Sequence, residues 1–185
     1  LDEQSEPKDA DDALPLEHVE GEIEFDNVCF AYGAGKQVLS GISLKIPAGT
    51  RVAIVGPTGS GKTTIISLLT RFYDVASGRI LLDGHDIRDY RLHDLRRAFG
   101  VVLQDTALFA QSVKDNIAYG HADASTDDVR AAAEMCGAGA FIERLPNGYD
   151  TVLEQGGAEL SQGERQLMTI ARAVLTNAPI LILDE

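Results

Sequence analysis

Residues 51–64 read Arg51-Val52-Ala53-Ile54-Val55-Gly56-Pro57-Thr58-Gly59-Ser60-Gly61-Lys62-Thr63-Thr64. The run from Arg51 to Val55 is short, apolar and β-branched, which predicts a buried strand. From Lys62 onward the spacing of Ile65, Ile66, Leu68 and Leu69 predicts a helix reaching Phe72. Between strand and helix, Gly56 to Thr63 fits the pattern GxxxxGK[ST] in full. That spacing has a chemical purpose. Small residues let successive backbone N–H groups turn inward around phosphate oxygens, where a bulky side chain would stand in the way. The helix adds its positive N-terminal end, about half an elementary charge. Lys62 supplies a cation for the β- and γ-phosphates, and the Thr63 hydroxyl is a ligand for Mg²⁺. Thr64 is a further candidate phosphate contact. A plain glycine-rich turn is the competing reading, but four specified positions arise by chance in such a chain less than roughly once in a hundred. The loop alone does not choose among kinases, GTPases, motors and transporters.

Outward from the loop, Ile23, Phe25 and Val28 begin a strand pattern, and a second strand is predicted over Ile42–Ile46 before the Pro47-Ala48-Gly49 turn. Arg79–Leu82 reads as a strand ending in the Asp83-Gly84 turn, and Phe99–Leu103 as another buried strand. The stretch from Ser112 to Leu145 is helical in character, with Ser125 or Thr126 as cap and Asp127 and Asp128 in the first turn. Ser161–Leu175 is a clear helix, stopped by Asn177 and Pro179. Ile180–Leu183 is a short buried strand that ends in Asp184 and Glu185. Strand–loop–helix units of this kind predict a mainly parallel α/β sheet with antiparallel additions near the start.

The chain has 185 residues, enough for one substantial domain. Sixteen basic against 29 acidic residues give a net charge of −13. Such a surface repels phosphate backbones and anionic headgroups, so a nonspecific nucleic-acid-binding or membrane-surface role is disfavoured. Ten carboxylates and only Lys8 as a base lie in the first 24 residues. Residues 1–20 are charged, hold two prolines and lack apolar periodicity, which predicts a linker with ordered structure from Gly21. Cys29 and Cys136 show no metal-ligand spacing and fit a reduced setting as small core residues. No apolar run approaches the roughly 20 residues that cross a bilayer, and the N-terminus is not signal-like. The chain as given is read as soluble.

Toward the C-terminus lies Leu160-Ser161-Gln162-Gly163-Glu164, followed by Arg165-Gln166 and a helix through Ala171-Arg172-Ala173. With Ile180–Leu183, Asp184 and Glu185 at matching spacing, this resembles the signature sequence of ABC ATPases, usually LSGGQ. From Gly21 onward the chain is similar to the ATP-binding domain of an ABC exporter. The resemblance implies a P-loop NTPase core, an antiparallel β-subdomain near the N-terminus and an α-helical subdomain carrying the signature. It also implies ATP and Mg²⁺ as cofactors.

Residue by residue, the resemblance makes Tyr32 the aromatic that stacks on adenine. Gln104, at the carboxyl edge of its strand, corresponds to the glutamine that reaches Mg²⁺ or the attacking water; an amide does this without adding charge. Asp105, Leu108, Phe109, Ser112, Asn116, Ile117 and Gly120 also follow exporter spacing. Ser161 caps the following helix, and its hydroxyl, with the N–H groups around Gly163, faces the γ-phosphate held in a partner's loop. Gln162 stands where the family has glycine. Glu164 stands where it has glutamine, which brings a negative charge close to a phosphate. Glu154 is the candidate contact to the membrane domain's coupling helices. Asp184 is expected to hold Mg²⁺ through its water shell, and Glu185 to orient or deprotonate the attacking water.

The resemblance further implies two partners: a second ATP-binding domain, identical or different, and a transmembrane domain on the same chain that places this domain at the cytoplasmic face of a membrane. Residues 21–185 are then read as an ATP-binding domain incomplete at its C-terminus. The family's pattern runs on past Glu185 to a histidine that touches the γ-phosphate, so weak binding and poor turnover are expected of this stretch alone. Against the reading as a transport ATPase stands a catalytically degenerate regulatory half of a heterodimer, to which Glu164 points and from which Glu185 points away. A soluble ABC ATPase of DNA repair or translation is disfavoured, because no coiled-coil insertion or basic surface is present.

Overall fold

The computed structural model describes residues 6–33, 35–104, 107–121 and 123–184. The chain divides into two compact units, Leu1–Phe99 and Gly100–Glu185. The fold is mixed α/β, with an antiparallel sheet, a parallel sheet and a helical region that carries the signature.

The first unit is built on an antiparallel sheet of β1 (Ile23–Ala31), β2 (Gln37–Ile46), β3 (Ser77–Leu82) and β4 (His85–Asp86), in the order β2-β1-β3-β4. Phe25 sits opposite Leu44 on one side and Ile80 on the other. The buried positions of β1 change phase midway, from Ile23 and Phe25 to Val28 and Phe30. A strand's inward face repeats every second residue, so such a change needs one extra residue. The irregularity lies between Phe25 and Val28, where Asn27 takes φ 50°. Two helices pack on the unit, α1 (Lys62–Leu69) and α2 (Leu92–Arg97), contributing the fully buried Leu68 and Leu95. The Asp83-Gly84 turn joins β3 to β4 with both residues at positive φ, as a tight hairpin requires.

The acidic N-terminal stretch makes specific contacts before Gly21. The Leu92 N–H donates to the Asp9 carboxylate (2.7 Å), and the Arg71 guanidinium donates to the Lys8 carbonyl (3.1 Å). The Leu14 N–H donates to the Asp89 carbonyl at 2.7 Å and its carbonyl accepts from Arg91 N at 2.9 Å. The N–H groups of Glu20, Gly21 and Glu22 all donate to the Asp83 carboxylate, at 2.9, 3.0 and 2.8 Å.

Arg51–Val55 departs from the sequence reading. These residues belong to neither sheet and are exposed, Val55 at 92%. A β-branched apolar run becomes a buried strand only where neighbours take up its backbone groups and cover its side chains. The first unit's sheet supplies no such neighbours at 51–55, so the expected strand is corrected to chain outside that sheet.

In the second unit, β5 (Phe99–Val102) pairs with β6 (Ile180–Leu183). β6 is a strand as read, but Leu181 and Leu183 are half exposed. The helical stretch expected over 112–145 divides into α3 (Val113–Ile117), α4 (Thr126–Met135) and α5 (Gly139–Ile142). Gly120 (φ 86°) and Gly137 (φ 80°) lie at the two breaks, in a conformation that a continuing helix does not allow. α6 (Gln162–Leu175) follows Ser161 and stops before Asn177, which turns to φ 48°. Ile117, Val129, Ala133, Ile142, Met168 and Ala171 are each fully buried in a common core. Asn116 is buried with them because its amide is fully used: Oδ1 accepts from Phe109 N (2.8 Å), and Nδ2 donates to the Phe109 and Ser112 carbonyls (2.9 and 3.1 Å). Cys29 and Cys136 are free thiols, each half-buried. Among the described residues no helix is long and apolar enough to cross a membrane.

Candidate functional site

The glycine loop leads straight into α1, whose N-cap is Gly61 at φ 93°. A Cβ at Gly61 would meet Leu39 Cδ2 at 2.9 Å and Val38 Cγ1 at 3.3 Å, so both conformation and packing demand glycine here. Gly59 also has positive φ (81°), but a Cβ there would meet nothing. Thr58, Gly59 and Ser60 are exposed, and the Ser60 N–H donates to the Pro57 carbonyl at 3.1 Å to close the turn. The Lys62 ammonium reaches back along the loop and donates to the Gly56 and Pro57 carbonyls at 2.8 and 3.1 Å. An ammonium has three donors and no acceptor, so it suits a phosphate oxygen in the same space.

Thr63 is exposed and Thr64 buried. The Thr64 hydroxyl lies 3.1 Å from the Tyr32 hydroxyl, hydrogen-bonded to it. Tyr32 is half exposed and edge-on to two rings, Phe30 at 4.8 Å and Tyr73 at 5.2 Å between centroids. The structure thus brings Tyr32 and the loop helix together in the first unit. Tyr73 is part of this cluster and was missed by the sequence reading. The Arg71-Phe72-Tyr73 sequence after α1 is a local signal, yet only the fold shows which ring turns toward Tyr32.

In the second unit, Asp184 N donates to the Val102 carbonyl at 2.9 Å. This puts Asp184 and Gln104, two residues beyond Val102, at the same end of the β5–β6 pair. Gln104 is exposed and Asp184 half-buried. Among the described residues no cluster of three His, Cys, Asp or Glu side chains is placed to enclose a metal. The hydroxyl, amide and carboxylate read as metal ligands are an oxygen-donor set. That suits a hard cation which keeps waters and phosphate oxygens as its other ligands. Glu185 lies outside the described residues, as does Asp105. Glu154 is exposed, and its N–H donates to the Glu159 carboxylate at 2.9 Å.

Ser161 and Glu164 form a reciprocal cap at the start of α6. Ser161 donates to Glu164 Oε2 through both its N–H and its hydroxyl (2.8 Å each), and Glu164 N donates to Ser161 Oγ at 3.3 Å. The Ser161 backbone N–H first, and its hydroxyl second, hold the Glu164 carboxyl below the usual carboxylate range. Gly163 is exposed, and a Cβ there would meet no neighbour.

A nucleotide-type loop, a ring beside it and a signature cap now stand on one chain, and the family match is direct. Residues 39–185 match the family described as ABC transporter. The chain belongs to the ABC transporter family. It is an ABC transporter ATP-binding domain whose relatives include exporters. The chain is 50% identical over its whole length to the uncharacterized ABC transporter ATP-binding protein YfiC of Bacillus subtilis, covering 31% of that protein. It is 49% identical, again over all of the chain, to an ATP-dependent lipid A-core flippase of Desulfotalea psychrophila, covering 32% of it. Over 96% of the chain, it is 47% identical to the mitochondrial iron-sulfur clusters transporter atm1 of Aspergillus fumigatus, covering 25% of it. A bacterial Atm1-family ABC exporter solved with ATP bound superimposes with a TM-score of 0.94 at 47% identity, over all of this chain and 32% of that one. The ABC transporter domain thus spans about a third or less of these relatives.

Proposed function

We propose that this domain binds and hydrolyses ATP to drive an exporter, working as one of two ATP-binding domains that close on each other. The observation that carries the reading is the loop from Gly56 to Gly61. Its glycine-enforced turn runs into α1, and Lys62 lies along it.

In this reading the loop's backbone N–H groups and the α1 N-terminus take the phosphates, with Ser60, Lys62 and Thr63 as side-chain partners. Tyr32 stacks on the adenine, held edge-on by Phe30 and Tyr73. Thr63, Gln104 and Asp184 are the oxygen donors that would hold Mg²⁺. When bound there, such an ion would neutralise charge on the β- and γ-phosphates. Gln104 orients the attacking water and Glu185 accepts its proton; the water oxygen bonds to γ-phosphorus as the bond from γ-phosphorus to the bridging oxygen breaks, and ADP and phosphate leave. Ser161 and Gly163 face the γ-phosphate in the partner domain's loop, so each of two sites is shared. A membrane domain on the same polypeptide, at whose cytoplasmic face this domain sits, chooses the cargo.

The test uses the full-length protein. Lys62→Ala should abolish saturable uptake of labelled ATP with Mg²⁺, and Glu185→Gln should keep uptake while stopping phosphate release. Unchanged uptake in a folded Lys62→Ala protein would overturn the reading.

A further inference from the structure

The cap at the start of α6 places a constraint on the one hydroxyl proton of Ser161. That proton points to Glu164 Oε2, at 2.8 Å, and the Ser161 N–H donates to the same oxygen. One lone pair of Ser161 Oγ is engaged in turn by Glu164 N at 3.3 Å. A serine in this arrangement has only its other lone pair to show a phosphate, and that repels an anion. To donate to a phosphate oxygen, the hydroxyl must rotate and leave the carboxylate. Hydrogen bonds to an ionised acceptor are roughly twice as strong as neutral ones, so the carboxylate is a stronger competitor than an amide would be.

We propose that Glu164 is a positioning residue for Ser161: it withholds the serine proton in the open domain and so raises the ATP concentration needed to close two domains on each other. This rests on the reading of Ser161 as a contact to the partner-bound γ-phosphate. The depressed carboxyl of Glu164 agrees with it, since a carboxylate that keeps its charge remains the better acceptor. Gln at this position retains an acceptor oxygen for both Ser161 donors, so the cap survives while its hold on the proton weakens. Closure changes, while the helix start is kept with only the small stability of its charge removed.

The experiment is a double-mutant cycle in the full-length protein, comparing wild type, Glu164→Gln, Ser161→Ala and the pair. ATP turnover gives KM and kcat, and thermal unfolding gives Tm. Glu164→Gln should lower KM for ATP by about threefold to tenfold, the size of one charge-assisted hydrogen bond made neutral, with Tm at pH 7 falling only slightly as the charge's contribution to the cap is lost. In the Ser161→Ala background the same substitution should leave KM unchanged, because no proton remains to be withheld. A Glu164→Gln KM equal to wild type, beside a raised KM for Ser161→Ala, overturns the proposal and leaves the function reading standing. An equal shift with and without the Ser161 hydroxyl also overturns it, because the charge then acts without the serine. If Ser161→Ala changes neither KM nor kcat, the reading of Ser161 as a phosphate contact fails, and the proposal fails with it.

Discussion

The hydroxyls of Tyr32 and Thr64 meet at 3.1 Å, tying the end of β1 to the third residue of α1. The bond fixes the ring proposed to stack on the base and the helix proposed to take the phosphates as one piece. Tyr32→Phe keeps the ring and loses the bond, and should weaken ATP binding by less than about 1.5 kcal/mol. Tyr32→Ala also removes the stacking face and should cost about 1–3 kcal/mol, the range for an aromatic under a base. Titration of the full-length protein with a fluorescent ATP analogue measures both.

Asn116 holds the turn over residues 109–112 from inside the helical core, with every polar atom of its amide engaged. Asn116→Leu, close in size, leaves the Phe109 N–H and carbonyl without these partners. The loss of stability should reach about 1–3 kcal/mol per unsatisfied buried group. Urea unfolding of the second unit's helices, followed by circular dichroism, gives the value.

Two helices start with the same device, Ser125 with Asp128 at α4 and Ser161 with Glu164 at α6. Both carboxyls lie below their usual range, Asp128 chiefly through the Ser125 hydroxyl and Glu164 chiefly through the Ser161 N–H. A carboxyl depressed in the folded state adds stability above its unfolded pKa, and that stability is lost as pH falls through the folded value. Tm should therefore hold steady from pH 7 down to the ordinary carboxylate range, about pH 4–5, and drop below it. The variant carrying Asp128→Asn and Glu164→Gln should show a smaller acid drop when Tm is followed against pH.

The parts of the fold that sequence disclosed were those set by local chemistry. The Gly56–Thr63 pattern, the Asp83-Gly84 turn and the Ser161 cap each depend on residues a few positions apart, so the chain itself writes them out. The run at 51–55 has the same residues as a buried strand and lacks the neighbours that would make it one, and no local pattern reports neighbours. The extra residue at Asn27 inverts the inward face of β1 halfway along, which a strict two-residue period conceals. Composition marked residues 1–20 as solvated linker, yet its carboxylates and carbonyls meet donors fixed by the fold, on Leu92 and Arg71. Of the candidate site, Tyr32, Lys62 and Ser161 were legible by motif. The ring of Tyr73 and the proton-holding contact of Glu164 were not, because each depends on orientation rather than spacing.

The three amides gathered on the Asp83 side chain have a mechanical consequence. A pull along the backbone from the direction of Glu20 is taken up at the β3–β4 bend before it can peel β1 from its neighbours. Load is shared by three parallel bonds instead of breaking rungs one after another.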